Sequence, residues 1–153
     1  MKSVYLDGSV YIGGANGLFC KLSEHDLVMV ECEGQGDITD LAILDARTIV
    51  CTAGNTRMNK GMLYFIDTNE LTARSLATPE RFFMLSHQET SVFLLGAGRV
   101  QEYDGRCFSA SLESNNGISF LASIENLPLC GDDQGVLFFH RDNEWHRLFQ
   151  IRA

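Results

Sequence analysis

The sequence predicts an all-β fold, a β-propeller of four four-stranded blades, on three observations. Its apolar runs are short, about four to seven residues, rich in β-branched and aromatic side chains and broken by clusters of Gly, Asn and Asp, and no window sustains the apolar stripe of a helix. The chain also repeats itself: "SVYIGGANGLFCKLSEHDLVMVE" (9–31) aligns with "TIVCTAGNTRMNKGMLYFIDTNELTARSL" (48–76), "SVFLLGAGRVQEYDGRCFSASL" (91–112) and "LPLCGDDQGVLFFHRDNEWHRL" (127–148). Finally, Gly14, Gly54, Gly96 and Gly131 recur at intervals of 40, 42 and 35 residues. Periods near forty suit propeller blades or helical solenoids, and the strand-like runs select the propeller.

Each copy supplies four strands in meander order, A to D. The first is expected at 4–6, 10–12, 18–22 and 27–30. In the later copies strand A is expected at 41–44, 82–85 and 118–124, followed by the three aligned runs. The blades then occupy 1–33, 37–77, 81–113 and 117–150 of a single domain. Strand B ends where blades converge, so its terminal glycine is expected to permit positive φ and close approach of a neighbouring backbone, and a larger side chain to clash. Gly17, Gly61, Gly98 and Gly135 close the far side of the same turn. The chain opens on a strand A and finishes on a strand D, leaving no blade shared between its ends. Either the four blades close a narrow ring, or the edges at 1–6 and 144–150 pair with a second copy of the chain, which completes a larger ring as a homodimer.

With 153 residues, 45% hydrophobic and 21% charged, the chain has enough apolar material for a core without metal or disulfide support. No apolar run reaches bilayer length, and no signal-peptide core follows Met1; a cytoplasmic protein without membrane attachment is expected. Cys20, Cys32, Cys51, Cys107 and Cys130 are odd in number, lack CxxC spacing and lie in or beside apolar runs. They read as buried, reduced thiols that pack as small hydrophobes. The formal charge of −8 disfavours nucleic acid, whose binding depends on Lys and Arg neutralising phosphates, and favours a basic protein partner.

Catalytic patterns are absent: there is no phosphate loop, GxSxG elbow, HExxH helix or Ca²⁺ loop. No enzyme activity, cofactor or metal is expected. His25, His87, His140 and His146 read as solvated hairpin residues, since "HRDNEWH" could join two imidazoles to a metal only if both faced one side of the sheet. Asp132 and Asp133 in "GDDQG" read as turn residues rather than as an acid–base pair.

Three fragments resemble kelch repeats: the glycine doublet of "VYIGGANG" (10–17), the Tyr-Asp of "VQEYDG" (100–105), and the Trp followed by Leu in "NEWHRL" (143–148). The resemblance implies a protein-binding module or, in a minority, a sugar-handling enzyme. A WD-repeat framework of Gly-His and Trp-Asp does not appear.

Meander topology places the A–B and C–D turns at one end of every blade. That end collects Asp7, Glu24, Asp26, Asp45, Asp67, Glu70, Glu89, Asp104, Glu125, Asp142 and Glu144 against Arg47, Arg106 and Arg141. Of these, Glu24, Asp26, Asp67, Glu70, Asp104, Asp142 and Glu144 are the candidate contacts for a basic partner; Tyr103, Phe139 and Trp145 near the rim read either as aromatic anchors or, the more usual fate of such residues, as strand-interior packing. A second candidate site is the long B–C loop "GNTRMNKG" (54–61), with Arg57, Met58, Asn59 and Lys60. The expected function is an acidic protein-binding module, such as an inhibitor or immunity protein that masks a basic toxin or nuclease. The alternatives are a scaffold subunit and a kelch-like carbohydrate-binding or carbohydrate-modifying protein.

Overall fold

The computed structural model describes residues 1–33, 36–54, 57 and 60–150, without the side chains of Phe149 and Gln150. Among these, sixteen strands form four antiparallel sheets of four, each in chain order. Sheet I holds β1 (Lys2–Leu6), β2 (Ser9–Gly13), β3 (Leu18–Leu22) and β4 (Leu27–Glu31). Sheet II holds β5 (Asp37–Ile43), β6 (Thr48–Gly54), β7 (Met62–Asp67) and β8 (Thr72–Ala77). Sheet III holds β9 (Met84–Gln88), β10 (Ser91–Gly96), β11 (Arg99–Tyr103) and β12 (Phe108–Glu113). Sheet IV holds β13 (Ile118–Ile124), β14 (Leu127–Asp132), β15 (Val136–Arg141) and β16 (Glu144–Gln150). Apart from one 3₁₀ turn at Ala15–Gly17, the described residues form no helix.

The chain divides into two compact units, Met1–Phe83 with sheets I and II and Met84–Ala153 with sheets III and IV. In the first unit the Ile38 N–H donates to the Gly14 carbonyl at 2.9 Å and the Gly17 N–H to the Gly36 carbonyl at 2.8 Å. The second unit repeats the tie: the Ile118 N–H donates to the Gly98 carbonyl at 2.6 Å. In each unit the second sheet therefore starts beside the B–C turn of the first. Both sheets of a unit then carry their A–B and C–D turns at the opposite end.

Alternation fills the space between paired sheets. Tyr11, Phe19, Val30, Ile38, Ile49, Tyr64 and Ile66 make one core, and Phe93, Leu95, Val100, Ile118, Leu121 and Cys130 the other. Burying a side chain such as Ile49 stabilises by about 1.5–3 kcal/mol. Three strand A starts differ from expectation by two residues or more, β1 beginning early at Lys2. β5 begins at Asp37 because the polar stretch Asp37–Asp40 pairs with β6 across a bulge after Ile38. Phe82 precedes β9: its ring is buried, and its carbonyl accepts a hydrogen bond from the Thr39 hydroxyl.

The expected double role of the strand B glycines is split between positions. Gly14 has φ −148° and a Cβ there would only touch Leu18 at 3.4 Å, so neither positive φ nor close approach applies to it. The expected clash holds at Gly131, where a Cβ would run into the Phe120 ring, and at Gly54, where it would lie 2.9 Å from the Arg81 side chain; in the first sheet it falls on Gly13, 2.5 Å from Ile38, and close approach to backbone falls on Gly36, 2.8 Å from the N of Gly54. Positive φ falls on the far side of the turn, at Gly17, Gly98 and Gly135.

Two histidines contradict the solvated reading. His140 is buried in β15: its Nδ1 hydrogen-bonds the Gln88 side chain at 2.7 Å, and its ring lies 4.6 Å from Phe93 and 5.1 Å from Trp145. His87 lies within β9 rather than in a turn, half-buried, its Nδ1 enclosed without a hydrogen-bond partner. His140 stands opposite Trp145 and His146 opposite Phe139, so the two imidazoles lie on opposite faces of sheet IV and share no metal. The cysteines follow expectation at Cys20, Cys51 and Cys130, which are buried, whereas Cys32 is half-buried and Cys107 exposed; all five are free. Cys107 departs because its backbone N–H serves the Asp104 turn, placing it at a hairpin.

Two measurements test this account. Gly36→Ala is expected to lower stability by about 1–3 kcal/mol in urea denaturation, since its Cβ meets backbone rather than a mobile side chain, while Gly14→Ala changes it little. Burial holds the His87 and His140 imidazoles below their ordinary 6.5, with Glu102 partly opposing this at His140. The unfolded chain therefore takes up protons first as pH drops through 6.5, and stability falls in that window. The urea midpoint should be lower at pH 5.5 than at pH 7.5, and His87→Gln should shrink the difference; equal midpoints would show that these imidazoles are not held neutral.

Candidate functional site

The acidic end of each unit is made of hairpins, and much of its Asp content serves the turns themselves. Asp7–Gly8, Glu125–Asn126 and Asp142–Asn143 each place two consecutive residues at positive φ, the conformation of a two-residue hairpin that matches strand twist. Asp67 accepts backbone hydrogen bonds from Glu70 and Asn69 at 2.9 Å each, and the Arg47 guanidinium at 2.8 Å. These donors hold its carboxyl below the usual carboxylate range. Asp104 does the same through the Cys107 and Arg106 amides, and is likewise lowered. Of the two Asp residues in the last B–C turn, Asp132 is buried. It accepts from the Val136 and Gln134 amides and the Ser114 hydroxyl, which together outweigh its burial and lower it. The turn reading of that pair holds for Asp132.

The candidate contacts thus separate into two groups. Asp67 and Asp104 are structural, and Glu70 is drawn toward Arg47 at 3.4 Å. Glu24, Asp26, Asp142 and Glu144 point into solvent, with Glu24 88% and Asp142 87% exposed. Turn chemistry explains Asp and Asn, whose short side chains reach their own backbone, but it gives no reason for glutamate. Glu24, Glu70, Glu89, Glu125 and Glu144 are the acidic residues that this end carries beyond its turn requirements.

A cavity of about 430 Å³ lies in the second unit at this end, lined among others by Gln88, Glu89, Glu102, His140, Arg141 and Asp142. Arg141 is itself drawn to Asp142, at 3.7 Å. Three carboxylates and one guanidinium around a neutral imidazole make a negative pocket suited to a cation. The sequence reading missed this site, although strand alternation carries a signal: Val136, Phe138 and His140 share one face of β15, so His140 belongs with core residues rather than with the turn.

The aromatic residues near the rim take the packing alternative. Tyr103 is buried, Trp145 meets Phe93 edge-on at 5.5 Å and donates its indole N–H to the Ser111 hydroxyl, and Phe139 stacks on His146 at 5.2 Å. In the second candidate site, Arg57 and Lys60 are exposed, while Met58 and Asn59 lie outside the described residues. Burial pushes Cys32 up to about 11 and Cys130 up to about 12, so these thiols are packing groups rather than nucleophiles. No group of three or more metal-ligating side chains occurs among the described residues, and no helix there is long and apolar enough to cross a membrane.

No family model and no curated protein matches the chain. Solved structures do. A computationally designed protein, Ika8, is similar over 96% of this chain and 47% of its own, with 20% identity and a TM-score of 0.69. The major allergen Mala s 1 of Malassezia sympodialis is similar over 95% of this chain and 61% of its own, with 10% identity and a TM-score of 0.71. The chain therefore spans about half the length of the first and three-fifths of the second, and at these identities the likeness is one of fold: an all-β arrangement of antiparallel four-stranded sheets.

Proposed function

We propose that the four sheets are propeller blades with degenerate kelch-like repeats, and that the chain is an acidic protein-binding module. Its A–B and C–D turns receive a basic protein surface. The observation that carries this reading is the cavity beside Asp142, where Glu89, Glu102 and Asp142 line a polar hollow at the end where solvent-facing carboxylates gather. A Lys or Arg side chain of the partner fits there as the anchor, and Glu144 of the same unit adds to the field that steers it in, while Glu24 and Asp26 give the turns of the first unit the same sign. An inhibitor or immunity protein masking a basic toxin or nuclease is the biological role that this chemistry suits. Carbohydrate binding is a second reading, favoured by the amide and hydroxyl groups of Gln88, Ser91 and Asn143 in the same cavity.

Affinity capture with the chain as bait identifies the partner, and association kinetics then test the contact. Glu144→Lys changes an exposed charge that caps no turn in the unit that holds the cavity, and is expected to slow association severalfold at low salt, with the difference fading as salt rises. Asp142→Asn should speed dissociation instead. Association insensitive to salt and to these variants would overturn the reading, and a sugar-induced melting shift that ignores salt would favour the second.

A further inference from the structure

Sheet I is apolar on both faces. Tyr11, Phe19 and Val30 fill the core against sheet II, while Tyr5, Ile12, Leu18, Leu22, Leu27 and Met29 alternate onto the other side. There Tyr5 is 68%, Leu27 63% and Met29 55% exposed. An antiparallel sheet meant to face water alternates polar outward, and strands apolar on both sides belong between two layers. Sheet IV has the same character. Leu121, Cys130 and Phe138 turn toward sheet III, while Phe120, Ile124, Leu129, Leu137 and Phe139 line the opposite side beside His146 and the Arg141–Glu144 pair, with Ile124 58% exposed. Contiguous apolar faces of this extent mark interaction surfaces.

We infer that the occupant of each face is a second copy of this chain: sheet I of one copy packs on sheet IV of the other, twice over about a two-fold axis. Three features select this occupant. Both faces carry a run of apolar side chains, as the facing sheets inside each unit do, so a sheet IV to sheet I contact repeats the packing already used between sheets I and II. The fold also accommodates chains about twice as long, since this one spans 47% of a similar designed protein, a length that two copies supply. Lastly, a contact between two different faces polymerises unless its rotation closes, and a two-copy ring closes it. The inference takes the sheets as propeller blades, as proposed above, and concerns surfaces away from the acidic turns.

Sedimentation equilibrium tests it, with a dimer of twice 17.0 kDa expected. Tyr5→Lys/Leu22→Lys places charge on the outer face of sheet I, and Ala122→Glu/Ile124→Glu on that of sheet IV. All four positions are exposed in the single chain, so both variants should keep the parent circular dichroism spectrum and each should be monomeric where the parent is dimeric. Mixed in equal amounts, they should recover the double mass, because one interface pairs two unaltered faces and the other pairs Lys with Glu. A parent chain that stays monomeric, a dimer that survives both variants, a mixture that remains monomeric, or an open polymer would each overturn the inference. None of these outcomes touches the acidic turns, so the docking reading stands or falls separately.

Discussion

The backbone hydrogen bond from the start of a second sheet to the B–C turn of the first organises this protein. Ile38 to Gly14 and Ile118 to Gly98 are equivalent bonds in the two units. Each lets the next strand A begin against a turn whose residues carry little or no side chain, and each fixes which end of a sheet faces which. Without that tie, two meander sheets could stack with their hairpins at opposite ends and the acidic turns would scatter. With it, every C–D hairpin of a unit lands beside its A–B hairpins, and charge that is dispersed along the chain becomes local in space.

That clustering has two origins, which separate by side-chain length. Aspartates such as Asp45, Asp67 and Asp104 accept backbone amides two or three residues ahead and would be selected by the turns whatever the protein does. Glutamates at the same turns reach no such amide among the contacts described above and add charge beyond what the turns need. The cavity at Glu89, Glu102 and Asp142 gives that excess a concave target, and the buried His140 beside it stays neutral because its desolvation outweighs the pull of Glu102. In the proposed docking, partner recognition and turn formation would use overlapping but distinguishable residues.

Core and surface follow a single rule of alternation, applied to different extents. In β8, "TARSLA", polar residues dominate and the strand is mostly exposed. In β4, "LVMVE", both faces are apolar although only Val30 is buried in one chain. Strands apolar on both sides belong between two layers, and the second copy inferred above would supply the missing layer.

Most of the architecture was legible in the sequence because it is local. Short β-branched and aromatic runs, the Gly, Asn and Asp clusters between them and the forty-residue repeat locate all four meanders, and β3 and β13 begin and end where the pattern places them. The signal was weakest where local chemistry misleads: Asp37–Asp40 is polar yet paired, and Phe82 is apolar yet outside a strand. The acidic end could be drawn from topology alone, but the cavity could not, since its walls come from β9, β10, β11, β14 and β15 and join residues such as Gln88 and His140 that are 52 positions apart. Sequence by itself determined strand, turn and charge, which depend on neighbours one to four residues away. Tertiary structure decided which carboxylates are spent on turns, which histidines lose their water and which sheet faces stay bare, because each depends on desolvation by residues that only packing brings near.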